Sequence, residues 1–213
     1  MQVVYVHGFA SSGRSAKATY FHERFGAFGI DLHRPDFNEP DFSTLTVTRM
    51  LDRLADELVS LSSAPVTLIG SSLGAVVAIY AAARAPERVD RLVLLAPAVR
   101  FPADAHRVLG REALERWRSS GTLELYHFGD RRMRQLKYGF YEDGLRYDVT
   151  GVDTPQPMLI FQGVRDEAVD YRDVEQYASA RSQATLVLMD DDHLLMASLP
   201  RIWSGMAEFL GLA

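Results

Sequence analysis

Short runs of consecutive apolar residues recur along this chain, and helix-length segments separate them. The runs are Val3–Val6, Val66–Ile69, Leu92–Leu95, Met158–Phe161 and Thr185–Leu188, with a weaker one at Ile30–His33 before Pro35. Strands that are apolar at consecutive positions are buried on both faces, which is the condition of a parallel sheet covered by helices. The intervening segments supply those helices. Leu45–Leu61 carries Val47, Met50, Leu51, Leu54, Leu58 and Leu61 at the spacing of one helix face. Ser15–Phe28, Leu73–Arg84, Arg172–Arg181 and Ile202–Leu210 also read as helices, and Leu73–Arg84 is apolar almost all round. The pattern predicts an α/β fold: a doubly wound, mostly parallel sheet of about six strands.

The alternation breaks between Pro97 and Thr154. A structureless loop of that length is improbable in a compact domain. Amphipathic pieces such as Arg111–Trp117, and the aromatic-rich Met133–Tyr147, predict instead a small helical lid at 101–150. The core is then 1–100 and 151–213.

Composition narrows the function. With 213 residues and 47% apolar content the chain can build one ordinary core. A net charge of -5 argues against a nucleic-acid partner, which requires a basic face. No cysteine is present, which excludes disulfides and thiolate metal ligands. No run approaches the ~20 apolar residues of a membrane-spanning helix. The chain opens directly on a strand with no signal-like segment before it. A cytoplasmic protein is expected, with no transmembrane span, repeats or low-complexity tract.

The sequence VTLIGSSLGAVVAIYAAA places Gly70-Ser71-Ser72-Leu73-Gly74 between an apolar strand and an apolar helix. G-x-S-x-G in that setting is a nucleophile elbow, a sharp turn that lifts a serine hydroxyl to the carboxyl end of the sheet. Ser72 is the expected nucleophile. A hydroxyl needs a base that is itself oriented by an acid. Asp166, just beyond the strand Met158–Phe161, is the expected acid, with Glu167 as the alternative. His193, just after Thr185–Leu188, is the expected base. The other histidines stand in no comparable context, and His7 reads as a buried imidazole beside the site. Asp190, Asp191 and Asp192 are consecutive, so their carboxylates do not converge easily on one ion. They read as a solvated turn, and no metal or cofactor is expected.

The N-terminal stretch VVYVHGFASSGRSAK has two readings. Gly8 to Ser15 nearly spells the phosphate-cradling pattern G-x-x-x-x-G-K-[ST], but Arg14 stands in the lysine position. The alternative is an oxyanion wall. An acyl-transfer site needs two N–H donors, and Phe9 and Leu73 are placed to supply them. Acyl transfer accounts for four stretches of the chain and phosphate binding for one. The lid is expected to contribute an acyl pocket through Met133, Leu136, Phe140 and Tyr141, with Leu194 beside it.

With these residues assembled, the chain resembles the α/β-hydrolase superfamily over nearly its whole length. HGFASSGRSAKA, GSSLG, LAPAVR and RDEAVDYRDVEQY are similar to the corresponding segments of the YqiA-type small bacterial esterases. The resemblance implies an esterase or thioesterase acting on short acyl groups, with Ser72, Asp166 and His193 as nucleophile, acid and base. Gly163-Val164-Arg165-Asp166 departs from that family's Gly-Asp-Glu and shifts the acid by about a residue. The lid is longer than the compact type, and its aromatics are more similar to thioesterases of the ABHD kind. Members of the superfamily commonly begin with two further strands, so the sheet here is expected to lack them. A small-molecule ester or thioester is the implied substrate. Lactonase, peptidase and C–C hydrolase chemistry use the same parts. A serine at the elbow excludes a haloalkane dehalogenase, whose nucleophile is a carboxylate. A non-catalytic binding module on this fold is the remaining alternative, and the presence of all three triad residues weighs against it.

Overall fold

The computed structural model describes residues 1–61, 64–103 and 105–212. Asp104, within the expected lid, lies outside the described residues. Six strands form one parallel sheet: β1 (Gln2–Val6), β2 (Leu32–His33), β3 (Val66–Ser71), β4 (Val89–Leu95), β7 (Met158–Gly163) and β8 (Ala184–Met189), in the order β2-β1-β3-β4-β7-β8. Successive residues of a strand face opposite sides of a sheet, and here both sides are apolar. Val4, Val6, Leu68, Leu92 and Leu94 join one core, while Val3, Tyr5, Ile69, Val93 and Leu95 join the other. That two-sided burial is why the strands read as unbroken apolar runs. β2 is a two-residue edge strand, short as edge strands tend to be.

The helices divide between the two faces. α1 (Ala16–Gly26) and α8 (Leu199–Leu210) bury Phe21, Phe25, Ile202 and Met206 on one side. α2 (Val47–Ser60), α3 (Leu73–Arg84) and α7 (Tyr171–Ser179) cover the other. Their starts are capped as the sequence allows. Ser15 accepts from Ala18 N–H, Thr46 from Arg49 N–H and Asp170 from Arg172 N–H, which satisfies donors that a helix start leaves open. No helix among the described residues is long and apolar enough to cross a membrane.

The segment between β4 and β7 departs from the all-helical expectation. Its described residues hold three α-helices, α4 (Ala105–Leu109), α5 (Arg111–Ser120) and α6 (Gly139–Gly144). Between α5 and α6 it also forms an antiparallel hairpin of β5 (Thr122–His127) and β6 (Arg132–Lys137). The hairpin is tied to the core at its turn, where Phe128 N–H donates to Ala10 carbonyl at 2.8 Å. His127, fully buried, accepts from Asp130 N–H at 3.0 Å and meets Asn38 Oδ1 at 3.3 Å. Trp117 Nε1–H donates to Leu136 carbonyl at 3.0 Å and so fixes α5 on the hairpin. α6 is held by Asp143, which accepts from Thr48 N–H and its hydroxyl at 2.9 and 2.6 Å.

Candidate active site

Four strands deliver the site to one edge of the sheet. β3 ends at Ser71, and the chain turns into α3 through Ser72, whose backbone sits at φ 53 and ψ -117. Positive φ is strained for a residue with a side chain, and the surrounding bonds hold it. Ser72 N–H donates to Leu95 carbonyl at 2.9 Å, and Ser72 carbonyl accepts from Ala75 and Ala98 N–H. Gly74 is required by close approach: a Cβ there would lie 2.1 Å from Val6 carbonyl oxygen. Only glycine lets α3 pass this near to β1.

Ser72 Oγ lies 3.0 Å from His193 Nε2, and His193 Nδ1 lies 2.7 Å from Asp166 Oδ2. The three residues, 121 positions apart at the widest, form one continuous hydrogen-bonded chain. Asp166 presents no exposed side-chain surface, whereas His193 is about a quarter exposed. Burial alone raises the Asp166 carboxyl. The hydrogen bond and charge of His193, with donors from Val169 N–H and Gln162, outweigh burial and leave the pKa below the ordinary carboxylate value. Oδ1 accepts from Ala168 and Val169 N–H, each at 2.8 Å, so the carboxylate is fixed as well as ionised. Gly163 brings the Asp166 and His193 loops together, since a Cβ there would stand 2.4 Å from Asp191 carbonyl oxygen.

The second edge of the site is the loop after β1. His7 is buried; its Nε2 accepts from Phe37 N–H at 3.0 Å and its Nδ1 faces Gly8 carbonyl at 2.9 Å. These contacts pin the start of the loop that carries Phe9, and Asp36 Oδ1 lies 3.4 Å from the same Nε2. Leu73 occupies the first position of α3, where an N–H has no helical acceptor. Among the described residues, neither Phe9 N–H nor Leu73 N–H takes part in a hydrogen bond. Both residues line the same hollow as Ser72.

Ser72 and His193 open onto a cavity of about 310 Å³. Its walls are apolar, with Phe9, Phe101, Leu109, Trp117, Leu123 and Phe140 among them. Of the five residues expected in a pocket, Phe140 and Tyr141 line it and Met133, Leu136 and Leu194 do not. Strand period is the reason for two of these. Residues three apart share a helix face but lie on opposite faces of a strand, so on β6 Leu136 is fully buried and Met133 is 51% exposed. Leu194 follows His193 directly; the histidine turns into the site and Leu194 is 60% exposed.

The Asp190–Asp192 turn also differs from a solvated one. Asp190 is exposed and pairs with Arg165 at 2.8 Å. Asp191 is buried and accepts from Ser198 N–H at 2.8 Å, ahead of α8. No group of three or more His, Asp or Glu among the described residues is placed to hold a metal ion.

Two charged residues near the site are not among those expected from the sequence. Arg100 lines the cavity from the loop after β4. Lys17, on α1, is buried beneath the elbow and donates to Ser71 Oγ at 3.2 Å. Lys17, Phe21 and Phe25 are spaced by four along α1, so a lysine on the buried stripe was the available signal.

Sheet order, elbow and edge loops together define the α/β-hydrolase fold. The chain belongs to the Uncharacterised protein family UPF0227, which matches it over residues 2–210. No curated protein matches it. Among solved structures, α/β-hydrolase domain-containing protein 10 from mouse superposes with a TM-score of 0.81 at 19% identity, covering 99% of this chain and 89% of that one. Est1E from Butyrivibrio proteoclasticus, with ferulic acid bound, gives 0.82 at 22% identity, covering 98% and 87%. A variant of the meta-cleavage product hydrolase CumD gives 0.68 at 19% identity, covering 100% and 92%. At these identities the likeness is one of fold.

Proposed function

We propose that this protein is a serine hydrolase that cleaves carboxylic esters of small or medium acyl groups through an acyl-enzyme. The observation that carries the reading is the unbroken chain Ser72 Oγ–His193–Asp166 at the mouth of an apolar cavity. His193 Nε2 takes the Ser72 proton as Oγ attacks the ester carbonyl. Asp166 holds the Nδ1–H tautomer and stabilises the imidazolium that forms. The oxyanion is met by Phe9 and Leu73 N–H, at a helix start whose dipole has the favourable sign. His193 then returns the proton to the departing alcohol, leaving an ester on Ser72. Water attacks that ester, His193 again accepts the proton, and the carboxylic acid leaves as Ser72 regains its hydrogen. A thioester would follow the same steps with a thiol as leaving group.

The test is hydrolysis of a p-nitrophenyl ester series from acetate to octanoate. Wild type should turn over the shorter members. Ser72→Ala should lose roughly 10⁶-fold in kcat if the triad acts as a unit. Near-native activity in that variant would remove the assignment.

A further inference from the structure

Apolar walls give an acyl group a place to sit but say nothing about which ester is preferred. One lining residue does. Among the seventeen described residues that line the catalytic cavity, Arg100 alone is an arginine, lysine or carboxylate. It also belongs to the wall of a second hollow of about 230 Å³, formed with Phe101, Pro102, Leu145 and Asp148. Its distance from the chemistry is set by the chain. Ala98 N–H is bonded to Ser72 carbonyl at 3.3 Å, and Arg100 lies two residues on, at most ~7 Å of backbone.

Arg100 is exposed, and among the described residues it makes no hydrogen bond or ion pair. That sets it apart from other arginines of the chain. Arg165 pairs with Asp190, Arg134 with Asp130 and Asp41, and Arg181 donates to the carbonyls of Val149, Thr150 and Val152. Asp148, its acidic neighbour, lies beyond ion-pair distance and is already engaged. Asp148 Oδ1 accepts from Thr150 N–H at 2.9 Å and from its hydroxyl at 2.7 Å. Those donors hold the Asp148 carboxyl below the ordinary carboxylate value, and the Arg100 charge adds to them. An unpaired guanidinium beside an apolar cavity presents a planar fork of donors, and a carboxylate matches that fork.

We infer that Arg100 is a specificity-determining residue that selects esters carrying one carboxylate a few atoms from the scissile bond, the apolar remainder filling the cavity behind Ser72. This rests on the serine-hydrolase reading. A single guanidinium fits a single anionic group.

Four substrates test it. On the acyl side, the p-nitrophenyl ester of an ω-carboxy acid is compared with its ω-carboxamide. On the alcohol side, 4-carboxyphenyl butyrate is compared with 4-carbamoylphenyl butyrate. Each pair is matched in shape and differs in charge. In at least one pair, wild type should favour the carboxylate by about 10-fold or more in kcat/KM, the scale of a charge-assisted bond. Arg100→Gln should collapse that ratio to near one, and Arg100→Lys should retain part of it. Because the readout is a ratio, a general loss of activity does not imitate it. Ratios at or below one in both pairs, or a preference that survives Arg100→Gln, would overturn the inference. A fluorophosphonate reaction separates the two levels of failure. Protein that takes the probe but does not distinguish the pairs retains a working serine and loses only the role of Arg100. Folded protein that takes no probe and cleaves none of the four loses the hydrolase reading itself.

Discussion

Lys17 is held by its surroundings in a state that pH can read. Burial disfavours its ammonium more than Asp166, Asp191 and Asp192 attract it, and the pKa falls from 10.5 to about 8. Between those values the unfolded chain binds a proton that the folded protein has released. Stability therefore rises with pH across the window, and the cost of the buried charge is fully present below pH 8. Tyr5 and Tyr177 act oppositely. Burial pushes both phenols from 10.0 to about 12, so above pH 10 the folded protein keeps protons that the unfolded chain loses. The clean interval is pH 8 to 10. Urea unfolding should give increasing stability over it in wild type, and Lys17→Met should abolish the rise. A flat wild-type profile, or the same rise in the variant, would contradict this account. Residues differ in how far the sequence exposes them. Ser72, Asp166 and His193 were legible because each follows a strand and carries a chemistry that the others complete. Arg100 and Lys17 were not, because their meaning lies in neighbours distant along the chain or, for Arg100, in the lack of a partner among the described residues.

At the scale of elements, hydrophobic period was reliable wherever one core dictates it. The strands Val66–Ser71 and Met158–Gly163 are buried at every position, and the sequence shows them as apolar runs. α2 buries Val47, Met50, Leu51, Leu54 and Leu58, the stripe expected of it. The insertion followed a different rule. Its hairpin covers the cavity with one face only, so β5 alternates Leu123, Leu125 and His127 inward with Glu124 and Tyr126 outward. Arg132–Lys137 has one buried residue among its charges and reads weakly as anything. Tertiary pairing, with a Gly-Asp turn at Gly129-Asp130, decides for the strand. Trp117 is the residue that joins the insertion's parts, packing near Tyr138, Phe140 and Tyr141 and bonding Leu136. Trp117→Ala should cost about 3–5 kcal/mol, as large-to-small changes in a core do. At this chain length that is a fall in Tm of roughly 6–20 °C. Calorimetry with a shift under about 2 °C would mean that the insertion does not depend on this contact.

At the scale of the molecule, a two-sided parallel sheet brings distant stretches of chain to one edge. The Phe9 loop follows β1, Ser72 follows β3, Asp166 follows β7 and His193 follows β8. The insertion after β4 roofs the cavity that they open onto. The solved structures that share this fold include Est1E, with ferulic acid bound, and a meta-cleavage product hydrolase. The architecture alone therefore does not fix the reaction, and the site must. Whether Ser72 is an activated nucleophile can be read from intact mass after incubation with a fluorophosphonate. One adduct per chain is expected on wild type, none on Ser72→Ala, and much slower labelling of Asp166→Asn, whose carboxamide no longer stabilises the His193 imidazolium. An unlabelled, fully folded wild type, or labelling that persists in Ser72→Ala, would contradict it.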